Sequence, residues 1–323
     1  MTKLQPRQAI EALIDNIETV IIGKRETVEL AVATLLAGGH MLVEDVPGVG
    51  KTMLARALAK SLDCSFKRIQ FTPDLLPADI TGVSVFHRGT ESFTFRPGPI
   101  FANIVLADEV NRATPKSQAA LLECMEEFQV TVDGITYQLP APFFVVATEN
   151  LVEYEGTYRL PEAQLDRFLS CVSLGYPGAS DEVKILDDQV VKHPIELVEP
   201  VLGPEQLREL QQMIRQVHLE DSLKQYMVEL TRATREHAGV ELGASPRGSI
   251  ALMRLSQALA AVRQRTYVIP DDIKYVAPAA LRHRIMLSSD VAFQGAEARD
   301  VIEEILTEVA VPAVSKESSY ETA

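Results

Sequence analysis

One eight-residue segment constrains the fold of this chain more than any other feature of its sequence. The segment Asp45-Val46-Pro47-Gly48-Val49-Gly50-Lys51-Thr52 follows a short apolar run, residues 41–43, and precedes a stretch with apolar side chains at helical spacing, residues 52–62. It matches the pattern G-x-x-x-x-G-K-[ST] at every position except the first. Such glycines let backbone N–H groups turn inward around phosphate oxygens at a helix N-terminus. The sequence therefore predicts a strand, a phosphate-binding loop and a helix.

Asp45 stands where the pattern has its first glycine. Aspartate tolerates turn geometry, so the loop can still form. Because like charges at short range are costly in a dry site, we expect the Asp45 carboxylate to point away from a bound triphosphate. Lys51 would reach the β- and γ-phosphates, and the Thr52 hydroxyl would ligate Mg²⁺.

A second signal is an apolar strand that ends in two adjacent carboxylates, Ile104-Val105-Leu106-Ala107-Asp108-Glu109. At the carboxyl edge of a sheet, Asp108 could hold Mg²⁺ through water, and Glu109 could polarise the attacking water of a phosphoryl transfer. An acidic turn is the structural alternative. The presence of the phosphate-binding pattern upstream favours the chemical interpretation.

Short apolar runs alternate with helical stretches up to about residue 177, a pattern typical of a parallel sheet covered on both faces. Two further pieces read as hairpins, at residues 83–95 and 130–137. Beyond residue 200, four amphipathic stretches predict an all-helical domain. We predict a core over residues 1–190, a linker over 191–203, a helical domain over 204–312 and a disordered tail over 313–323.

Charge and composition disfavour several classes of protein. There are 31 Lys and Arg against 45 Asp and Glu, so the net charge is −14 and no basic footprint for nucleic acid is visible. The three cysteines are far apart, which favours reduced thiols and a cytoplasmic protein. The six histidines lack metal-ligand spacing, and no apolar run approaches the ~18 residues that cross a bilayer. We therefore expect no structural zinc and no direct membrane insertion.

Two arginine-containing segments in the last third of the sequence allow predictions about what surrounds their charges. Ser245-Pro246-Arg247 reads as the start of a helix, where a cation opposes the helix dipole. This local conflict indicates an anion near Arg247, and a solvated arginine is the alternative. The short basic cluster at residues 282–284 reads as a solvated helix face.

Together these motifs resemble the MoxR family of AAA+ ATPases. The resemblance also rests on Asn111-Arg112-Ala113-Thr114-Pro115-Lys116, on Ala147-Thr148-Glu149-Asn150 and on residues 160–168, and it spans about residues 8 to 286. It implies an α/β P-loop NTPase fold, with a three-layer α/β/α parallel-sheet core and a C-terminal all-helical lid domain. In this family the short segment Ile21-Ile22-Gly23-Lys24 would pass over the adenine, although an ordinary helix break is an equal alternative.

The resemblance also implies roles for three polar residues. Asn150 matches sensor 1, and an amide there can orient water without adding charge; a turn or capping residue is the alternative. Arg167 matches the arginine finger that acts in the neighbouring subunit, against the alternative of an intrachain salt bridge to Asp166 or Glu162. Arg247 matches sensor 2, which the lid would carry onto the phosphates.

The implied site residues form three groups. The predicted catalytic residues are Glu109, Asn150, Arg167 and Arg247. The predicted nucleotide-binding residues are Ile22, Gly23, Pro47, Gly48, Val49, Gly50, Lys51, Thr52, Met53 and Asp108. The predicted Mg²⁺ ligands are Thr52 and Asp108.

By this resemblance we expect a Mg²⁺-dependent ATPase that assembles into a ring, a hexamer, and remodels or activates protein clients. Proteins with von Willebrand factor A domains are the expected partner class. Two alternatives stay open from the sequence: an ATPase subunit like that of magnesium chelatase, and a nucleotide-binding switch or interaction module with negligible turnover. A nucleic-acid motor is disfavoured by the charge balance.

Overall fold

The computed structural model describes residues 6–89, 91–150, 158–190 and 193–312, with side chains described from residue 8 onward. The tail predicted to be disordered, residues 313–323, lies outside the described residues. The first half of the described chain contains α1 (Pro6–Glu18), α2 (Arg25–Leu36), β1 (Met41–Asp45), α3 (Lys51–Ser61), β2 (Phe66–Gln70), α4 (Pro77–Thr81), β3 (Gly82–His87), β4 (Ser92–Pro97), β5 (Ile104–Asp108), α5 (Pro115–Glu127), β6 (Gln129–Val132), β7 (Ile135–Gln138) and β8 (Phe144–Asn150). The second half contains α6 (Glu162–Leu165), β9 (Ser170–Val172), α7 (Ala179–Gln189), α8 (Pro194–Leu197), α9 (Pro204–Ile214), α10 (Asp221–Glu236), β10 (Val240–Leu242), α11 (Pro246–Val262), α12 (Pro270–Leu281), β11 (Met286–Leu287), α13 (Ser289–Phe293) and α14 (Ala298–Glu308).

Five of the strands form one parallel sheet in the order β2-β5-β8-β1-β9. All five residues of β5 are buried, as expected for a strand covered on both faces. Along β1, Leu42 packs in one apolar cluster with α4 and α5, while Met41 and Val43 pack in a second cluster with α1, α2 and α3. These two clusters make the predicted three-layer α/β/α core, which is confirmed.

The carboxyl ends of the parallel strands meet at one edge of the sheet. Asp45 ends β1, Asp108 ends β5 and Asn150 ends β8, and Asp45 pairs in register with Asn150. In open parallel sheets this edge is where ligands bind. The topology therefore brings together residues that are far apart in the sequence, such as Asp45 and Asn150.

Both predicted hairpins are present as two-stranded sheets, β3–β4 and β6–β7. The β6–β7 turn has positive φ at Asp133 (51°) and Gly134 (79°), the geometry that an Asp-Gly turn favours. The Phe95 ring stacks on the Tyr137 ring with centroids 4.0 Å apart, so the two hairpins contact each other. Both lie outside the five-stranded sheet.

The C-terminal part packs its own apolar core around α10, α11, α12 and α14. Pro204, Pro246 and Pro270 begin helices, because the fixed φ of proline suits the first helical turn. This lid is helical but not wholly so, since β10 and β11 pair as a short antiparallel ribbon. The predicted linker contains the short helix α8. Within the described ranges, we find no helix with the length and apolar character to cross a bilayer.

Candidate active site

A cleft of about 180 Å³ lies at the carboxyl edge of the sheet. Gly48 (φ 86°) and Gly50 (φ 99°) adopt left-handed backbone conformations that residues with a Cβ rarely accept, and α3 begins directly after them. The first N–H groups of α3 have no intrahelical acceptors and can bind an anion. The cleft is lined by Pro47, Gly48, Gly50, Lys51, Thr52, Asp108, Glu109 and Asn150. All of these residues were predicted from the sequence.

Lys51 donates a hydrogen bond from Nζ to the carbonyl oxygen of Asp45 at 2.8 Å. Burial lowers the pKa of Lys51, while the carboxylates of Asp45, Asp108 and Glu109 oppose that shift. The ammonium group of Lys51 is thus hydrogen-bonded to a backbone carbonyl at the edge of the cleft. An incoming phosphate would offer it a charged acceptor instead.

The Asp45 carboxylate faces the chain that follows β9. Its Oδ2 accepts hydrogen bonds from the Leu174 amide at 2.6 Å, the Gly175 amide at 2.8 Å and the Ser173 hydroxyl at 3.0 Å. Its Oδ1 accepts the amide of Val46 at 2.9 Å. The expectation that this carboxylate would point away from the phosphate site is therefore met, and its charge is satisfied by four donors.

Asp108 is held by contacts to both of its carboxylate oxygens. Oδ2 accepts from Arg68, at 2.9 Å from Nε and 2.6 Å from Nη2, and Oδ1 accepts from the Thr148 hydroxyl at 2.6 Å. Thr52 and Asp108 offer the oxygen ligands that Mg²⁺ prefers. Because both Asp108 oxygens already accept hydrogen bonds, this carboxylate suits contact with Mg²⁺ through water. Within the described ranges no group of three or more His, Cys, Asp or Glu could hold a metal ion, and Mg²⁺ sites built largely from phosphate and water need none.

Glu109 adopts a left-handed backbone conformation (φ 57°) directly after β5. Its Oε2 accepts hydrogen bonds from Gln70 Nε2 and from Arg112 Nη1, each at 2.8 Å. Its amide donates to the Thr148 hydroxyl at 2.8 Å. Sequence reasoning missed Gln70 and Thr148. The available signal was their position on β2 and β8, the two strands that flank β5.

Asn150 lies in the cleft with only 5% of its surface exposed. Among the residues that the structure describes, its Oδ1 has no hydrogen-bond partner. A buried orphan acceptor is costly, about 1–3 kcal/mol, and at a polar cleft it indicates a missing water or ligand. This position suits an amide that orients water beside a phosphate.

A second pocket of about 260 Å³ lies beside the phosphate loop and shares Gly48 and Gly50 with the cleft. Its apolar lining includes Ile21, Ile22, Val49 and Met53, and its polar lining includes Lys24, Asp188, Gln189 and His193. These residues suit a flat aromatic base. Gly23 does not line the pocket. It has φ 70°, and a Cβ there would overlap the Asp181 carboxylate, so it supports the turn between α1 and α2 instead.

Arg167 and Arg247 lie in a different pocket, of about 380 Å³, which shares no lining residue with the cleft or the base pocket. Arg247 Nη2 contacts Glu126 Oε1 at 2.7 Å, and Arg167 Nη2 contacts Glu126 Oε2 at 3.0 Å. The expected anion beside Arg247 is therefore Glu126. Arg247 is not among the residues that line the cleft, so the expectation that the lid carries it onto the phosphates stays a prediction. Arg167 pairs with Glu126 rather than with Asp166 or Glu162.

His283 and Arg284 are buried and Arg282 is partly buried, so the interpretation of residues 282–284 as a solvated helix face is wrong. Arg284 is 7% exposed and donates to Asp166 Oδ1 from Nε at 2.7 Å and to the Phe168 carbonyl from Nη2 at 2.6 Å. Asp166 Oδ2 also accepts from the hydroxyl of Ser245, the N-cap of α11, at 2.7 Å. Asp166 thus joins the turn that carries Arg167 to the helix that carries Arg247.

Family models, sequence relatives and a solved structure that resemble this chain agree with one another about its family. A family model described as "ATPase family associated with various cellular activities (AAA)" matches residues 40–170, and a model of the AAA lid domain matches residues 232–305. The Bacillus subtilis protein YeaC, which is uncharacterized, is 56% identical over 93% of each chain. Chaperone MoxR1 of Mycobacterium tuberculosis is 41% identical over 95% of this chain and 83% of its own. A crystal structure of a candidate ATPase from Cytophaga hutchinsonii superposes with a TM-score of 0.88 at 39% identity, covering 95% of this chain and 96% of that one.

Proposed function

This chain belongs to the MoxR family of AAA+ ATPases, and we propose that it hydrolyses ATP with Mg²⁺ in a ring of identical subunits to remodel protein clients. The main support for the proposal is the set of residues that line the cleft. Side chains from the ends of β5 and β8 converge there with a glycine-rich loop and the first residues of α3. The apolar pocket on the other side of the same loop has room for a base.

In this proposal the amides of residues 48–52 bind the phosphates, and Lys51 exchanges the Asp45 carbonyl for phosphate oxygens. Glu109 polarises the attacking water once its carboxylate is released from Gln70 and Arg112. Asn150 orients that water through its amide. Thr52 and Asp108 hold Mg²⁺, which neutralises charge on the β- and γ-phosphates when bound.

The positions of the two arginines support the proposed ring. Neither Arg167 nor Arg247 lines the cleft of its own subunit, yet phosphoryl transfer gains strongly from a guanidinium at the γ-phosphate. A second copy of the chain would supply both. Closed rings form when such head-to-tail contacts repeat around an axis, and we infer a hexamer from the family resemblance.

The client side of the proposal rests on relatives. MoxR1 is named a chaperone, and this chain would likewise act on protein clients. Proteins with von Willebrand factor A domains are the proposed partner class, which comes from the family resemblance in the sequence. The cytoplasm is the proposed location. The two hairpins expose Phe93 and Ile135, which are candidates for client contact.

Steady-state phosphate release tests the proposed activity. Glu109→Gln should lower the turnover number by about a hundredfold or more, because general-base catalysis contributes factors of that size. Glu123→Gln, an exposed substitution on α5 with the same chemistry, serves as the matched control and should retain wild-type turnover. Wild-type protein that binds ATP without measurable turnover would support the nucleotide-binding switch instead.

A further inference from the structure

Glu126 contacts two guanidinium groups with one carboxylate. It lies one residue before the end of α5, and its two oxygens reach Arg167 at 3.0 Å and Arg247 at 2.7 Å. Arg167 comes from the turn after α6, whereas Arg247 is the second residue of α11 in the lid. A single acidic side chain of the core therefore joins one arginine from the core and one from the lid.

The energetics of this cluster favour a geometric role over a stabilising one. The three side chains are partly exposed, at 38% for Glu126, 31% for Arg167 and 48% for Arg247, and exposed ion pairs contribute little to stability, about 0–1 kcal/mol. Within the described ranges neither guanidinium has another acidic partner. Without Glu126 the two cations would repel each other and separate.

The backbones behind these side chains are fixed independently. Asp166, next to Arg167, accepts hydrogen bonds from Ser245 and from the buried Arg284. Asp166 thus fixes the backbone positions of Arg167 and Arg247 relative to each other, and Glu126 brings their guanidinium groups together.

We propose that Glu126 is a positioning residue that holds Arg167 and Arg247 as a pair, so that both guanidinium groups reach one phosphoryl group in a neighbouring copy. This rests on the proposed function. Each guanidinium has five N–H donors, and a contact with Glu126 leaves several free for phosphate oxygens. One carboxylate also leaves the pair with a net positive charge, which attracts an anion.

The variant Glu126→Gln keeps the length of the side chain and removes its charge. We expect a turnover number lower by about tenfold to a hundredfold, the effect of misplacing a catalytic group by about 1 Å, with little change in the KM for ATP or in the melting temperature. Glu126→Asp, which keeps the charge on a shorter stem, should retain intermediate turnover. Glu127→Gln, at the exposed neighbouring position, is the matched control and should behave as wild type.

Mixing experiments separate positioning from a structural role. A Glu126→Gln subunit keeps an intact cleft, and a Lys51→Ala subunit keeps an intact arginine pair, so mixed assemblies should recover turnover. A structural fault within the Glu126→Gln subunit would not be rescued by a neighbour. Unchanged or increased turnover of Glu126→Gln alone would overturn the proposal, as would no recovery in assemblies that native mass spectrometry shows to be mixed. An inactive wild type would overturn the proposed function and this inference together.

Discussion

The carboxylate of Asp45 accepts the backbone amide of Leu174 at 2.6 Å, although 129 residues separate them in the sequence. Asp45, which stands in place of the first glycine of the phosphate-loop pattern, therefore links that loop by hydrogen bonds to the chain that follows β9. That chain leads to α7, whose residues Ile185 and Asp188 line the base pocket. These hydrogen bonds fix the phosphate loop and the α7 side of the base pocket relative to each other.

Asp45→Ala should destabilise the fold and weaken nucleotide binding. It leaves the amides of Leu174 and Gly175 without their acceptor, and each such loss costs about 1–3 kcal/mol. We expect a free energy of unfolding lower by about 2–4 kcal/mol in urea titrations, and a higher Kd for ATP in calorimetry. Asp187→Ala, an exposed aspartate on α7, is the control. Equal stability of the two variants would refute this role of Asp45.

Asp166→Asn should destabilise the protein more than Glu126→Gln does. It removes the carboxylate that pairs with Arg284, whose side chain is 3% exposed. Breaking a buried ion pair by removing one partner costs about 3–5 kcal/mol, because the other charge stays buried and uncompensated. Thermal and urea unfolding of both variants measure the difference. A loss below about 1 kcal/mol for Asp166→Asn would mean that Arg284 does not depend on this contact.

Glu149 should make stability depend on pH. It lies on β8 opposite Glu44 of β1, and burial, with a smaller contribution from Glu44, raises its pKa to about 7, while Arg159 opposes the shift. The unfolded chain releases this proton near pH 4.5, so between pH 4.5 and 7 the folded state binds more protons. Its protonated form therefore stabilises the fold at low pH, and this contribution is lost as the pH rises to about 7.

Glu149→Gln removes the free-energy cost of holding an ionised carboxylate in this buried position. Above pH 7 the variant should be more stable than wild type by up to about 3 kcal/mol, and the difference should shrink as the pH falls and vanish below about 4.5. Urea unfolding of both proteins at several pH values measures the difference directly. A difference that does not change with pH would show that Glu149 is not the titrating group.

Local patterns in the sequence predicted much of this structure. The phosphate loop depends on glycines at fixed spacing, and the β6–β7 turn on Asp133-Gly134, so neither needs distant contacts. The anion beside Arg247 could also be inferred from the conflict with the helix dipole. Its identity as Glu126 could not, because 121 residues separate the two. Such pairings depend on how the lid packs against the core.

The burial of His283 and Arg284 was missed for a related reason. A short basic run normally remains in solvent, since an unpaired buried charge is costly. Here Arg284 is paired with Asp166 and donates to several carbonyl groups of residues 166–169. No pattern near residue 284 shows that these partners exist. The short β10–β11 ribbon was also missed, because its two strands are only three and two residues long.

The central claim is that ATP bound in the cleft of one copy is cleaved with positive charge from the next. The most direct test measures phosphate release from mixtures of Arg167→Ala and Lys51→Ala subunits, each inactive alone, across mixing ratios and with mixed assembly verified. We expect turnover to recover, most strongly near equal amounts, because the Lys51→Ala subunit supplies the arginine to the cleft of its neighbour. No recovery at any ratio in verified mixed assemblies would contradict it.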